Sequence, residues 1–328
     1  MGDHFDFKEY NRPVADYIQQ LRKDSFAYFD KQVKANQVRA EEIDALKDCL
    51  RDVVHYLYYL YEQSPKEFGK VFNSIKENAK TICLLPIGKR GIYGRTEFNP
   101  KRIHINPHFE RSSTLTGNQR RALYLAHEMG HVINHAWMQK VLAYVDDQLK
   151  RGLMSDKDRW LMFNGFRLLD EAIAQNAAEN FIYARCQKNR PPRIMRGIGG
   201  ELFNGKGYST NFDYYGELQE PAIMFARTLR GIGKIKSDTK ALDMLSKRAQ
   251  SPDFFDRILY EYTRDGYKET LKEELFLMGA LNEAKYATFG AGDKSYIPKS
   301  GENLRKFREI ATAMRDYKDP FDDLHEGH

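Results

Sequence analysis

Apolar residues return every three or four positions from residue 13 to about residue 79, a spacing that predicts three helices. Val14 to Ala35 carries Ile18, Leu21, Phe26 and Phe29, and Ala40 to Glu62 carries Ile43, Leu46, Leu50, Val53, Val54, Leu57 and Leu60. Ser64-Pro65 reads as the cap and first position of the third helix, where Pro costs no hydrogen bond. The run His55-Tyr56-Leu57-Tyr58-Tyr59-Leu60-Tyr61 has no polar side, so that helix is expected to be buried on several sides.

The period then changes. Ile82-Cys83-Leu84-Leu85 is a short buried-strand pattern. Ile92 to Phe98 and Arg102 to Ile105 alternate with period two, and Asn99-Pro100-Lys101 between them predicts a turn. Helical spacing resumes after Thr116-Gly117-Asn118, with Leu123, Ala126, Met129, Gly130 and Ile133 on one side of an amphipathic helix. Leu168 to Phe181 predicts a partner helix whose Ala-rich face permits close approach, and Pro191-Pro192 ends it. Residues 194–218 are rich in Gly and Tyr and irregular. Helices are expected again over 220–231, 238–249, 252–263, 267–289 and 302–317, before a polar tail from Asp319.

Five residues change the picture from architecture to chemistry. His127-Glu128-Met129-Gly130-His131 reads HExxH inside the apolar stretch from Arg121 to Ile133. Residues four apart stand one above the other on a helix, so both imidazoles can reach one metal ion. Glu128 then faces a water molecule on that ion, the arrangement of a zinc hydrolase. With nine His in the chain, roughly 0.02 chance matches to this pattern are expected, which makes coincidence a poor explanation.

Zinc in a catalytic site takes three protein ligands and keeps one position open. His135 extends the stripe but cannot be the third: two four-residue steps separate it from His127 by about 12 Å along the axis. A longer HExxHxxGxxH pattern is absent, because Asn134 and Trp137 occupy the positions of its Gly and third His. His104 and His108 lie near the predicted strands and read as strand or loop residues.

The third donor is suggested by resemblance. Asp170-Glu171-Ala172-Ile173-Ala174-Gln175, on the Ala-rich helix, resembles the glutamate helix of gluzincins, in which HExxH is followed by a second helix bearing a Glu. The resemblance implies Glu171 as the third ligand, 40 residues after His131, with Trp137 to Phe166 as an insertion that extends the first helix and turns near Arg151-Gly152. Ala126 to His131, preceded by the strand Arg102 to Pro107, also resembles the ImmA/IrrE-like peptidases over roughly residues 80 to 190. On that likeness Glu179, in Ala178-Glu179-Asn180-Phe181, is the alternative ligand. Gluzincins commonly stabilise the oxyanion with a downstream side chain, for which Tyr208, Tyr214 and Tyr215 are the candidates here.

These readings converge on an α+β chain, mostly helical. A zincin-like core with a small mixed sheet beside the HExxH helix is expected over 80–190, flanked by helical parts at 1–79 and 191–328. The implied activity is zinc-dependent peptide hydrolysis with one zinc per chain, His127, His131 and Glu171 as ligands and Glu128 as general base. The alternative is a zinc-binding or basic helical interaction module without peptidase activity.

Composition narrows the setting. Hydrophobic residues make up 41% and aromatic residues 13%, which fits a globular fold able to bury a core. No apolar run approaches about 18 residues, and the N-terminal residues carry neither a basic region nor an apolar stretch, so neither a membrane span nor a signal peptide is expected. Cys49, Cys83 and Cys186 are scattered, which suggests a reduced, cytoplasmic setting rather than a disulfide framework. The net charge of +6 is modest and the charges are interleaved. Even the densest cluster, Lys188 to Arg196, reads as a solvated loop, so the expected partner is a protein or peptide substrate rather than nucleic acid.

Overall fold

The computed structural model describes residues 12–35, 37–66, 68–76, 78–84, 94–98, 101–106, 115–187, 222–223, 225–233, 235, 237–264 and the single positions Leu271, Leu275, Met278 and Gly279. Among them the chain is mostly helical with one small mixed sheet. Two units share it: Met1–Ile133 with Ala178–Arg190, and Asn134–Ala177 with Pro191–His328. Two long helices, α4 (Gly117–Lys150) and α5 (Asp156–Gln187), run unbroken through both divisions.

In the first unit, α1 (Arg12–Lys34) and α2 (Ile43–Gln63) form where the apolar spacing placed helices, with a 3-10 turn at Ala40–Glu42 leading into α2. Ile18, Leu21 and Phe29 of α1 and Leu46, Leu50, Val53 and Leu57 of α2 are buried. The aromatic run is enclosed as expected: Tyr56, Leu57, Tyr58 and Leu60 are all buried, and Tyr56 meets Phe181 edge-on at 5.2 Å. Ser64 departs from its expected role. Its backbone N–H donates to Leu60 O at 2.9 Å and so closes α2, Pro65 lies in the following turn, and α3 covers Phe68–Lys76. A helix that has just ended leaves carbonyls to satisfy, and the Ser64 N–H is the nearest donor.

The sheet orders its strands β1 (Ile82–Leu84), β3 (Lys101–Ile105), β2 (Gly94–Phe98). β1 runs parallel to β3, and β2 antiparallel. Ile103 and Ile105 of the central strand are fully buried, which fixes the inward face. They pair with Thr96 and Gly94 respectively, so these two β2 residues share that face, while Arg95 and Glu97 turn to the other side.

α4 opens on a capping box: Thr116 Oγ1 accepts from the Gln119 N–H at 3.3 Å, and the Gln119 side chain accepts from the Thr116 N–H at 2.9 Å. Its early turns depart from the amphipathic pattern expected from the sequence: every residue from Arg121 to Gly130 is buried. A helix enclosed on all sides tolerates a cation only with a partner, and Arg121 Nε donates to Asp52 of α2 at 2.9 Å. Burial alone would lower the Arg121 pKa; the Asp52 carboxylate, both as a charge and as a hydrogen-bond acceptor, outweighs it and holds the pKa above the ordinary value.

In the second unit α4 and α5 form a hairpin. Gly152, at φ +70°, ends α4 with Leu153 N–H donating to Gln148 O and Gly152 N–H to Leu149 O, both at 3.0 Å. Ser155 then caps α5, accepting from the Asp158 N–H at 3.1 Å. Pairing proceeds outward from this turn: Asp146 accepts from Arg159, Trp137 packs on Phe166, and Asn134 donates to Asp170. The glutamate helix is therefore much longer than the expected segment from Leu168 to Phe181. Helices α6 (Asp238–Ala249) and α7 (Phe254–Arg264) complete the apolar core around Trp137, Phe166, Phe225 and Phe254. Asn176 ties α5 to α6 by donating to Asp243 and Ser246.

The Arg121–Asp52 pair yields a stability test. Asp52→Asn leaves the buried guanidinium with only the more distant Asp48, 3.8 Å away, as counter-charge and is expected to cost up to about 3–5 kcal/mol of unfolding free energy. In urea denaturation, adding Arg121→Met to an Asp52→Leu background should recover most of that loss; an Asp52→Asn midpoint equal to wild type would contradict the pairing.

Candidate metal centre

His127, Glu128 and His131 lie on the enclosed part of α4. His127 is buried at 3% exposure and His131 is half-buried. Their Nε2 atoms stand 3.1 Å apart with the rings perpendicular, a separation that a proton or a shared cation can bridge. Two ligand atoms of a tetrahedral zinc ion lie about 3.3 Å apart, so the pair is already near ligand spacing.

α5 supplies the third donor. One ligand atom from each of His127, His131 and Glu171 lies within 4.8 Å of the other two, and no other such group of His, Cys, Asp or Glu occurs among the described residues. Glu171 is half-buried. Asn134 of α4 is bonded to Asp170, the residue before Glu171. Two imidazoles and one carboxylate, partly open to solvent, suit a zinc ion with a free position better than a closed structural site. Manganese and cobalt accept the same donors.

Glu128 is held by the sheet. At 6% exposure its carboxylate is buried against β2, where Thr96 Oγ1 donates to Oε2 at 2.7 Å and approaches the Glu128 backbone O at 3.2 Å. Gly94, on the same face of the strand, leaves the space that the carboxylate fills: a Cβ there would come within 2.8 Å of Glu128 Oε1. The opposite face of β2 is charged, with Glu97 paired to Arg95 and, at 3.3 Å, to His104 Nε2.

The remaining candidates fall outside this cluster. Glu179 lies on α5 two turns beyond Glu171, about 12 Å along the axis, and is not part of the group. His135 is half-buried on α4 and His104 sits on β3. Tyr208, Tyr214, Tyr215 and His108 lie outside the described residues. The sequence reading missed Gly94, Thr96 and the Asn134–Asp170 bond. A glycine inside an alternating strand was the one available signal, since it often marks a close approach of another group.

Comparison with protein-family models, with curated proteins and with solved structures found no match. No helix among the described residues is long and apolar enough to cross a membrane.

Elemental analysis after dialysis against a weak chelator tests the centre. About one zinc per chain is expected in the wild type, lost in His127→Ala and in Glu171→Ala but kept in Glu179→Ala. Retention in Glu171→Ala together with loss in Glu179→Ala would move the third ligand two turns along α5.

Proposed function

We propose that the chain is a zinc-dependent peptidase with a zincin-like core, of the gluzincin type that HExxH and the downstream glutamate helix resemble. The observation that carries this reading is the joining of His127, His131 and Glu171 in one group, with Glu128 between the two histidines in sequence on the same helix. A zinc ion held there supplies a Lewis acid that polarises a carbonyl and renders a water molecule acidic near neutral pH.

The chain's own residues do the rest. Glu128 accepts the proton of the attacking water and delivers it to the leaving amine, which departs neutral. β2 has one strand neighbour, β3, among the described residues, and an extended peptide laid along its other edge would pass beside Glu128. An extended substrate strand favours a protein or peptide over a compact small molecule.

Glu128→Gln keeps the shape and the neutral hydrogen-bonding capacity but removes the base. It should retain zinc while losing about 100- to 10,000-fold in cleavage of a fluorogenic peptide library. A wild type that binds zinc and cleaves nothing in such a library, with no difference from Glu128→Gln, would leave the chain as a zinc-bearing interaction module.

A further inference from the structure

We propose that Gly94 and Thr96 are positioning residues: together they form a cradle on β2 that fixes the orientation of the Glu128 carboxylate. The inference rests on the reading of Glu128 as general base and adds what holds that base in place.

Three observations meet at this point. A Glu side chain has several rotatable bonds, and a buried carboxylate needs a partner to offset its lost hydration. Thr96 provides that partner, a hydroxyl 2.7 Å from Oε2, and charge-assisted bonds of this length are the stronger kind. Gly94 provides room, since any larger residue would set a Cβ 2.9 Å from Glu128 Cγ as well as 2.8 Å from Oε1. The strand's period of two places both on one face, so the cradle takes a glycine and a threonine at alternate positions.

The sheet holds the cradle in register. Gly94 pairs with Ile105 and Thr96 with Ile103, and both isoleucines are fully buried. A slip of β2 by one residue would turn Arg95 or Glu97 towards Glu128 and bury the charges now paired on the outer face. The hydrophobic core thus sets the orientation of the base through the strand. The single Thr96 proton goes to Oε2, and the longer 3.2 Å approach of the same hydroxyl to the Glu128 backbone oxygen is the minor branch of a shared bond.

The test uses the full-length, zinc-loaded chain. Thr96→Val keeps the β-branched shape and removes the hydroxyl; Thr96→Ser keeps the hydroxyl. With fluorescein-labelled casein as substrate, Thr96→Val is expected to lose about 10- to 100-fold in kcat with KM and zinc content little changed, and Thr96→Ser to retain most of the rate. Gly94→Ala should lose rate in the same way. A second readout needs no activity: the shift in urea midpoint caused by Thr96→Val should largely vanish in a Glu128→Ala background, as coupled residues require. Equal midpoint shifts in the two backgrounds, or wild-type kcat in Thr96→Val, would overturn the cradle. If the wild type cleaves no casein, the midpoint cycle alone decides the cradle and the peptidase reading fails separately.

Discussion

One geometric constraint organises this molecule. A helix can present two ligands four residues apart to one ion, but the next residue on that face is already about 6 Å further along the axis. The third ligand must come from a different element. Glu171 of α5 is the candidate, and within the second unit pairing outward from the Gly152 turn matches each step on one helix with a step on the other. Asp146 with Arg159, Trp137 with Phe166 and Asn134 with Asp170 mark that register. The 40-position step from His131 to Glu171 therefore measures the length of the two arms rather than a distance in space.

Charge burial is the second theme: among the described residues, the buried charges of Arg121 and Glu128 each meet a partner from a different element. Arg121 is enclosed on α4 and meets Asp52 on α2. Glu128 is enclosed on the next turns and meets Thr96 on β2. Both contacts fix the part of α4 that lies in the first unit, one near its start and one at the motif. The apolar packing supplies the stability that such polar insertions cost, and the polar contacts supply the orientation that apolar packing cannot.

Much of this was legible in the sequence for physical reasons. α1, α2, α6 and the start of α4 announce themselves through apolar spacing and, for α4, a Thr and Gln at capping-box distance. HExxH is legible because its chemistry depends on local helical spacing alone. Other features depend on tertiary context. The enclosure of Arg121 to Gly130 hid the amphipathic pattern expected there, since a helix surrounded on all sides has no polar face to display. Ser64 resembles an N-cap, and its use to close α2 depends on where α2 stops. Gly94 and Thr96 are ordinary strand residues until the helix that faces them is known. Glu171 and Glu179 look alike in sequence, and the hairpin register separates them.

The proposed function depends on His127, His131 and Glu171 holding one ion together. The most direct measurement is a crystal structure of the zinc-loaded protein with anomalous diffraction recorded at the zinc edge. The expected result is a single strong anomalous peak with the two Nε2 atoms and a Glu171 oxygen at about 2.0–2.2 Å. A peak coordinated elsewhere, or a well-ordered centre with no peak after zinc loading, would contradict it.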